Sequence, residues 1–471
     1  MGTTASDNES ISIIDSGKRR LTAAERLFEA DARRDLRNIS ASFKLFVLVF
    51  VVSISMGVAA WAFLASLDLA TSFRTHHTWV YLLMPVVGVA TAWIYRNHGL
   101  AAERGNNLVI DSALSTRLIH ARMAILTFVC STATHLTGGS AGREGAAVQM
   151  GGTIASNVSH LAHLSKHDHH DLMLAGISSA FGGVFGSPLA GTFFGMEMCF
   201  VGKIDYTAGI YCLVASFTGY LTSLALGTVY EAHAIASVPQ LSLQTACIVV
   251  AAAALFGITA RAFAWLIRTI KRLYDRMFAN YLLSAFVGAL LVLGLYAAFN
   301  AWDFAGLSTW LVDAGLKGKT TGADTVLKLV ATALTLGAGF QGGEVTPLFG
   351  IGASLGGWLG VLVGIDPSFM GALGMLGVFC AGLNVPITTI MLSIDMFHGQ
   401  GAAYFVMVAF VSYLIAGHRG VYPAQRIVSP KRRSLKIDYG GTVADAIARH
   451  QDNVEDVQRE LAATEAQPKQ R

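Results

Sequence analysis

Charge is what this chain has least of. Only 14% of its 471 residues are Asp, Glu, Lys or Arg, against about 25% in an ordinary soluble domain. Hydrophobic residues make up 53%, and the mean hydropathy is +0.53. A water-soluble globule is excluded, and an integral membrane protein is expected. Cysteine is also scarce: Cys130, Cys199, Cys212, Cys247 and Cys380 stand singly, mostly in apolar stretches, so buried unpaired thiols are expected rather than a disulfide framework. No His-Glu-x-x-His zinc-protease stretch occurs, and Ser140 near His135 is too weak a nucleophile and base pairing to support an intramembrane hydrolase. The first 44 residues hold eight Lys or Arg and no apolar core before Phe46, so no cleavable signal peptide is expected. With some 45 polar residues after Arg426, the folded output domain of a receptor or sensor is not expected.

What the chain has instead is apolar length. Stretches near the ~20 residues that cross a bilayer lie at Leu45 to Leu67, Trp79 to Tyr95, Leu241 to Ile267 and Tyr281 to Asn300. Less uniform ones lie at Ala121 to Thr137, Leu172 to Val201, Thr207 to Gly227, Val326 to Phe340, Val345 to Val363, Phe369 to Phe397 and Ala403 to Gly417. Several are too long or too glycine-broken to be one span. Irregular backbone at membrane depth survives only where protein buries it or where it lines a wet cavity, so broken helices point to a solute pathway.

Leu21 to Ser42 carries Leu21, Ala24, Leu27 and Phe28 at helical spacing, as an amphipathic surface helix would. Lys431, Arg432, Arg433 and Lys436 make the other end basic, and Ala260 to Arg276, with five basic residues, reads as a helix emerging from the membrane with snorkelling side chains. By the positive-inside bias both termini are expected in the cytoplasm. The predicted organisation is a cytoplasmic segment (1–44), two membrane repeats (45–235 and 236–425) and a short polar cytoplasmic tail (426–471).

The division into repeats comes from the sequence itself. GGSAGREGAAVQMGG, Gly138 to Gly152, overlays GAGFQGGEVTPLFGIG, Gly337 to Gly352, at an offset of about 200, so that Gly142 meets Gly342 and Glu144 meets Glu344. Ser187 to Met198 likewise parallels Val385 to Met396: Pro188 and Pro386 each stand nine residues before an acid, Glu197 or Asp395, that is followed by Met. Paired glycine- and proline-interrupted segments are the mark of a transporter built from inverted repeats, with its solute where the halves meet. The N-terminus of a broken helix offers unpaired N–H groups and the positive end of its dipole, so the predicted solute is an anion. Glu144, beside Arg143, then reads as a tethered anion that occupies the site when ionised and leaves it when protonated. The alternative is a structural Arg143–Glu144 ion pair, disfavoured because neighbours on a helix do not face one another.

Gly142-Arg143-Glu144-Gly145, Pro188-Leu189-Ala190-Gly191 running on to Glu197, Gly342-Gly343-Glu344-Val345-Thr346-Pro347, and Tyr422 in GHRGVYPAQ together resemble the CLC family of chloride channels and anion/proton antiporters. The resemblance spans about Leu45 to Gln425. Chloride-handling members carry Gly-Ser-Gly-Ile-Pro where Gly105-Asn106-Asn107-Leu108-Val109 stands here, a proline where Ala146 stands, and GGIFAP for GGEVTP. These departures resemble the fluoride/proton antiporter branch, CLC-F, of bacteria that export fluoride.

The resemblance implies an all-α inverted-repeat bundle with broken helices, a homodimer in the lipid of the bacterial plasma membrane, and one pathway per subunit. It implies Glu144 as the gating, proton-exchanging glutamate. It also implies anion binding by Asn106, Gly142, Arg143, Gly145, Val345, Thr346 and Tyr422, with Glu344 and Glu197 as accessory proton or anion groups. The side chains of Asn106 and Thr346 could supply the well-aimed donors that small, strongly hydrated fluoride needs. The relay glutamate expected one residue after Glu197 is Met198 here, which leaves the usual inner proton route without its carboxylate. The transported partners are fluoride and protons; no cofactor, metal or nucleic acid is implied. A passive CLC-type anion channel would share all of these motifs and differ only in coupling.

Ser159 to Asp171 carries five histidines, of which His163, His167 and His170 could share a helical face as metal ligands. Incidental surface imidazoles in a polar connection are the preferred reading. His135 is expected to be a hydrogen-bonded helix histidine, and Asp395 a helix-end or interior polar contact.

Overall fold

The computed structural model describes residues 42–98, 105–431 and 440–449. The amphipathic segment predicted from Leu21 onward and the basic residues Arg432, Arg433 and Lys436 lie outside them. Among the described residues these α-helices follow in order: α1 (Ser42–His76), α2 (Met84–His98), α3 (Asn106–Leu114), α4 (Arg122–Leu136), α5 (Glu144–Leu161), α6 (Lys166–Phe185), α7 (Pro188–Glu197), α8 (Gly209–Ala225), α9 (Leu243–Met277), α10 (Tyr281–Phe299), α11 (Trp310–Leu316), α12 (Gly322–Gly337), α13 (Val345–Val363), α14 (Pro367–Leu383), α15 (Pro386–Phe397) and α16 (Ala402–Ala416). Residues 42–48 form the first turns of α1; the packing below concerns Val49 onward. Two-residue strands β1 (Phe200–Val201) and β2 (Arg426–Ile427) pair in parallel, Phe200 with Arg426 and Val201 with Ile427, a small addition to the all-α expectation.

Among the described residues five helical stretches are long and apolar enough to cross a membrane: Ser42–His76, Thr78–His98, Leu243–Met277, Tyr281–Phe299 and Val345–Val363. At 1.5 Å per residue, the 35 residues of α9 reach about 52 Å, beyond the ~30 Å hydrocarbon core, so α9 must tilt or project. The long apolar blocks at Leu172 to Val201 and Phe369 to Phe397 are each broken in two, and the same device breaks both. Gly186 closes α6 with φ 70°, Ser187 leaves the helical region (φ −122°, ψ 77°), and Pro188 opens α7. Asn384 closes α14 with φ 63°, Val385 leaves the helical region (φ −125°, ψ 68°), and Pro386 opens α15. Glycine and asparagine are the residues that tolerate the left-handed turn, and proline fits the first helical position because its missing N–H would be unpaired there anyway.

The repeat thus extends to backbone angles. α5 packs on α6, α6 on α7 and α8, and α7 on α8; in the second half α13 packs on α14, and α14 and α15 on α16. The halves meet where α7 packs on α15 and α5 on α13.

The basic residues do not all snorkel. Ala260 to Arg276 lies within α9, but Arg268 donates through Nη1 to the Gly420 carbonyl at 2.8 Å, tying α9 to the segment that carries Tyr422. Lys431, read as part of a basic tail, donates to Asn384 Oδ1 (2.6 Å) and to the carbonyls of Tyr413 (2.8 Å) and Gly417 (2.7 Å), with its ammonium 3.5 Å from the Tyr413 ring centre. Four of the five cysteines are buried and free as expected; Cys247 is free but exposed on α9.

Candidate functional site

The two glycine-rich segments meet backbone to backbone. Gly142 N–H donates to the Gly343 carbonyl at 2.6 Å, and Gly343 N–H returns a bond to the Gly142 carbonyl at 2.7 Å. Side chains would not fit there: a Cβ on Gly343 would lie 2.5 Å from the Gly145 nitrogen, and one on Gly142 would lie 2.9 Å from the Gly343 oxygen. α5 and α13 therefore start side by side. Their opening N–H groups have no carbonyl one turn back to pair with.

Glu144 is the first residue of α5 and is buried, yet its carboxylate reaches the start of α13. Oε2 accepts the Thr346 N–H at 3.0 Å and the Arg143 N–H at 3.2 Å, and the Thr346 hydroxyl lies 2.6 Å from both carboxylate oxygens. A carboxylate held by backbone N–H groups and a hydroxyl at a helix N-terminus is bound as a free anion would be.

The disfavoured ion pair is also present and corrects the sequence argument: Arg143 Nε lies 3.4 Å from Glu144 Oε1. Arg143 is the residue before the helix, not within it, so the rule against neighbouring pairs on a helix does not apply. Its guanidinium is partly accessible and lines a cavity of about 240 Å³ with Trp61, Asp68, Tyr230 and Glu231.

A second cluster lies beside Gly145. Asn106, the first residue of α3, is buried and donates through Nδ2 to the Tyr422 hydroxyl at 2.7 Å. A Cβ at Gly145 would be 3.3 Å from that nitrogen and 3.4 Å from Glu344 Oε2, so Gly145, Asn106 and Glu344 converge on one place. Asn106 Oδ1 is buried without a protein partner. Tyr422 is held by its neighbours: Val421 N–H bonds the Gly382 carbonyl (2.9 Å), Ala424 N–H bonds Asn107 Oδ1 (3.1 Å), and Gln425 Nε2 donates to the carbonyls of Met198 (2.9 Å) and Leu383 (2.8 Å). Asn107 and Gln425 stand inside the GNNLV and GHRGVYPAQ segments, but sequence reasoning gave neither of them a role.

Glu197 stands apart from these residues. It ends α7, and its carboxylate accepts the N–H of Ile387 (3.1 Å) and both the N–H and hydroxyl of Thr388 (2.8 Å each), at the start of α15. Asp395 makes the corresponding contact in return, accepting the Ala190 N–H at 2.8 Å near the start of α7. Met198 caps α7, and its side chain is buried.

The histidine-rich segment is surface in part: His163 and His167 are exposed as expected, but His169 and His170 are built into the fold. His169 is buried, with Nδ1 2.8 Å from Ser159 Oγ and Nε2 3.1 Å from the Ser112 carbonyl. His170 lies 2.7 Å from the Ala113 carbonyl and 3.2 Å from Asp205 Oδ2. These bonds fasten α6 to the C-terminal end of α3, the helix whose other end carries Asn106. Asp205, in the loop before α8, is held below the usual carboxylate range, first by the His170 hydrogen bond and against the cost of its burial. Among the described residues no group of three His, Cys, Asp or Glu side chains is placed to hold a metal.

His135 is buried with both ring nitrogens on backbone carbonyls, Ser131 at 2.8 Å and Ala141 at 3.2 Å. Gly138 to Gly142 does have the Gly-x-Ser-x-Gly spacing of a hydrolase elbow. Ser140 Oγ, however, faces Lys328 Nζ (3.0 Å) and Thr332 Oγ1 (2.9 Å), and the His135 ring nitrogens are spent on backbone carbonyls.

Residues 87–417 match the family model described as voltage gated chloride channel, 331 of the 471 residues. The chain belongs to this CLC family. It is 35% identical over 391 residues to a chloride/fluoride channel protein of Pseudomonas syringae pv. tomato, covering 82% of this chain and 86% of that one. The crystal structure of a CLC-type fluoride/proton antiporter superposes with a TM-score of 0.79 at 32% identity, covering 82% of this chain and 98% of that one. A slow cyanobacterial Cl⁻/H⁺ antiporter shares the fold at 18% identity, with a TM-score of 0.68 over 79% of this chain and 94% of that one. This CLC protein is a multi-pass membrane transporter and not an enzyme.

Proposed function

We propose that this CLC protein exchanges fluoride for protons and exports fluoride across the bacterial plasma membrane, with Glu144 as the group that carries the proton and competes with the anion. The observation that carries the reading is the binding of the Glu144 carboxylate by the Thr346 N–H and hydroxyl at the start of α13. A tethered carboxylate in an anion's place is displaced when protonation removes its charge, so each passing anion is linked to a proton.

The anion follows from the donors. Asn106, Arg143, Gly145, Val345, Thr346 and Tyr422 supply amide, guanidinium, hydroxyl and backbone groups around the paired helix starts; Gly142, expected among them, has already given its N–H to the Gly343 carbonyl and instead fixes the two loops together. With Asn106 donating to it, the Tyr422 hydroxyl keeps its own proton to give. Small, strongly hydrated fluoride needs such well-aimed donors to replace its water. The names of the two relatives above 30% identity, which mention fluoride, support the same choice. Glu344 beside Asn106 is the accessory proton or anion group. Glu197 is the weaker candidate, since both its oxygens are committed to α15. The protein works as a homodimer with a complete pathway in each subunit and both termini in the cytoplasm.

Purified protein in liposomes loaded with fluoride or chloride, with anion efflux and proton uptake recorded together, tests this reading. Fluoride efflux coupled to proton uptake and a large preference over chloride are expected. Fluoride efflux without proton uptake would make the protein a passive channel, and equal efflux of both anions would remove the fluoride assignment.

A further inference from the structure

Lys328 lies in the middle of α12 and is completely buried. Its ammonium sits in a cage of neutral oxygens, donating to the Gly306 carbonyl (2.9 Å), Ser140 Oγ (3.0 Å), Ser308 Oγ (3.0 Å) and the Phe304 carbonyl (3.3 Å). An ammonium has three N–H bonds to give, and three acceptors lie at 3.0 Å or less, so the charged form is fully hydrogen-bonded. No Asp or Glu among the described residues forms an ion pair with it. A second buried cation lies alongside: a Cβ on Gly306 would be 3.1 Å from both terminal nitrogens of Arg74, whose guanidinium also donates to the His135 carbonyl. The fold thus buries positive charge for which no carboxylate ion pair is found among the described residues, which is expensive unless an anion answers it.

The cage is connected to the anion site by one residue. Ser140 receives the lysine, touches Thr332 Oγ1 at 2.9 Å, and gives its N–H to Thr335 Oγ1 at 3.1 Å, so α12 grips it three times. Glu144 is four residues further on, and four residues span at most about 14 Å.

We propose that the Lys328 ammonium is a fixed countercharge for the anion pathway, a positioning residue that holds the Glu144 loop through Ser140 and whose charge sets how tightly the pathway takes an anion. The inference rests on the pathway carrying anions. A unit charge on the order of 12 Å away, at an effective dielectric constant of about 20, changes anion affinity by about tenfold.

Lys328→Gln keeps a polar donor in the cage and removes the charge. In liposome flux assays its apparent KM for fluoride is expected to rise about tenfold, with kcat at saturating fluoride and the anion-to-proton ratio within twofold of wild type. Lys328→Arg should keep the wild-type KM. A packing role alone would lower thermal stability and kcat in both variants and leave KM unchanged, and that result overturns the proposal, as does a KM raised equally by Arg and Gln.

If Lys328→Gln does not fold, Ser308→Asp decides. Ser308 has φ 55°, a conformation Asp tolerates better than most residues, and the new carboxylate would cancel the charge of an intact lysine. A raised KM supports the proposal and an unchanged one overturns it. Should the wild type move neither fluoride nor chloride, the transport reading falls, and calorimetric titration of fluoride onto wild type and Lys328→Gln judges the lysine by itself. Tenfold weaker binding in the variant supports it; equal binding, or none to the wild type, overturns it.

Discussion

Glu197 and Asp395 cap each other's helices. Glu197, at the end of α7, takes the N–H groups of Ile387 and Thr388 at the start of α15, and Asp395, near the end of α15, takes the Ala190 N–H near the start of α7. The donors Ala190 and Thr388 each stand two residues after the proline that opens their helix. An inverted repeat makes this exchange natural, because a contact made by one half is made back by the other.

The exchange assigns both acids first to stability. Glu197→Gln and Asp395→Asn are each expected to cost about 1–2 kcal/mol, as loss of a buried helix cap does. The double variant should come near the sum, since the two caps serve different helices. Thermal unfolding in detergent measures this. Proton coupling in the same samples separates capping from relay: loss of coupling in Glu197→Gln alone would place Glu197 in the proton route.

Glu144→Gln is expected to abolish proton uptake driven by a fluoride gradient, because the amide matches the protonated acid in size and cannot ionise. Fluoride flux then persists as a leak or stops, depending on where the neutral side chain rests. Preserved coupling would move the assignment to Glu344.

Thr346→Val removes the hydroxyl that touches both oxygens of Glu144 while leaving the Thr346 N–H in place. An unmade bond in a buried site costs about 1–3 kcal/mol, so fluoride turnover should change by roughly five- to a hundredfold. Tyr422→Phe is the comparison. It is not silent by structure, since the Tyr422 hydroxyl accepts the Asn106 amide, but among the described residues no hydrogen bond joins it to Glu144 or to α13. Thr346→Val should therefore disturb proton coupling more. The opposite order, read from coupled fluoride and proton flux, would mean that the main anion contact lies at Asn106 and Tyr422.

Gly343→Ala should prevent assembly of the site, because the new Cβ would meet the Gly145 backbone at 2.5 Å and neither backbone can move without breaking the paired bonds to Gly142. Gly294→Ala in α10 is the control: nothing lies within 4 Å of its added Cβ, and alanine is the better helix former. Folded yield and melting temperature should fall for the first and hold or rise for the second.

Much of this arrangement is legible in the sequence. Paired Gly-rich and Pro-containing segments specify broken helices, because only a few residue types allow a left-handed turn followed by a helix start, and the Glu144 and Thr346 segments lie inside those signals. Contacts between distant segments are not legible. The Asn106 and Tyr422 side chains come together from 316 residues apart, and nothing local to either announces the other. Lys328 interrupts an apolar run and reads as a flaw in it, since its acceptors come from Ser140 and from residues 304–308 and not from its own helix. The Arg143 contact was misread for the reverse reason: the helix begins one residue later than the spacing rule assumed.

The two-bond bridge between Gly142 and Gly343 also restricts how this chain can change length. Each loop is read by the other through its main chain, with no side chain that could be swapped to absorb an error. Inserting or deleting one residue between Gly139 and Glu144, or between Gly339 and Thr346, would shift one strand of the bridge past the other and unpair both bonds together. Substitutions elsewhere can accumulate singly, but the spacing in these two loops can change only if both change at once, so the length of each half is bound to that of its partner.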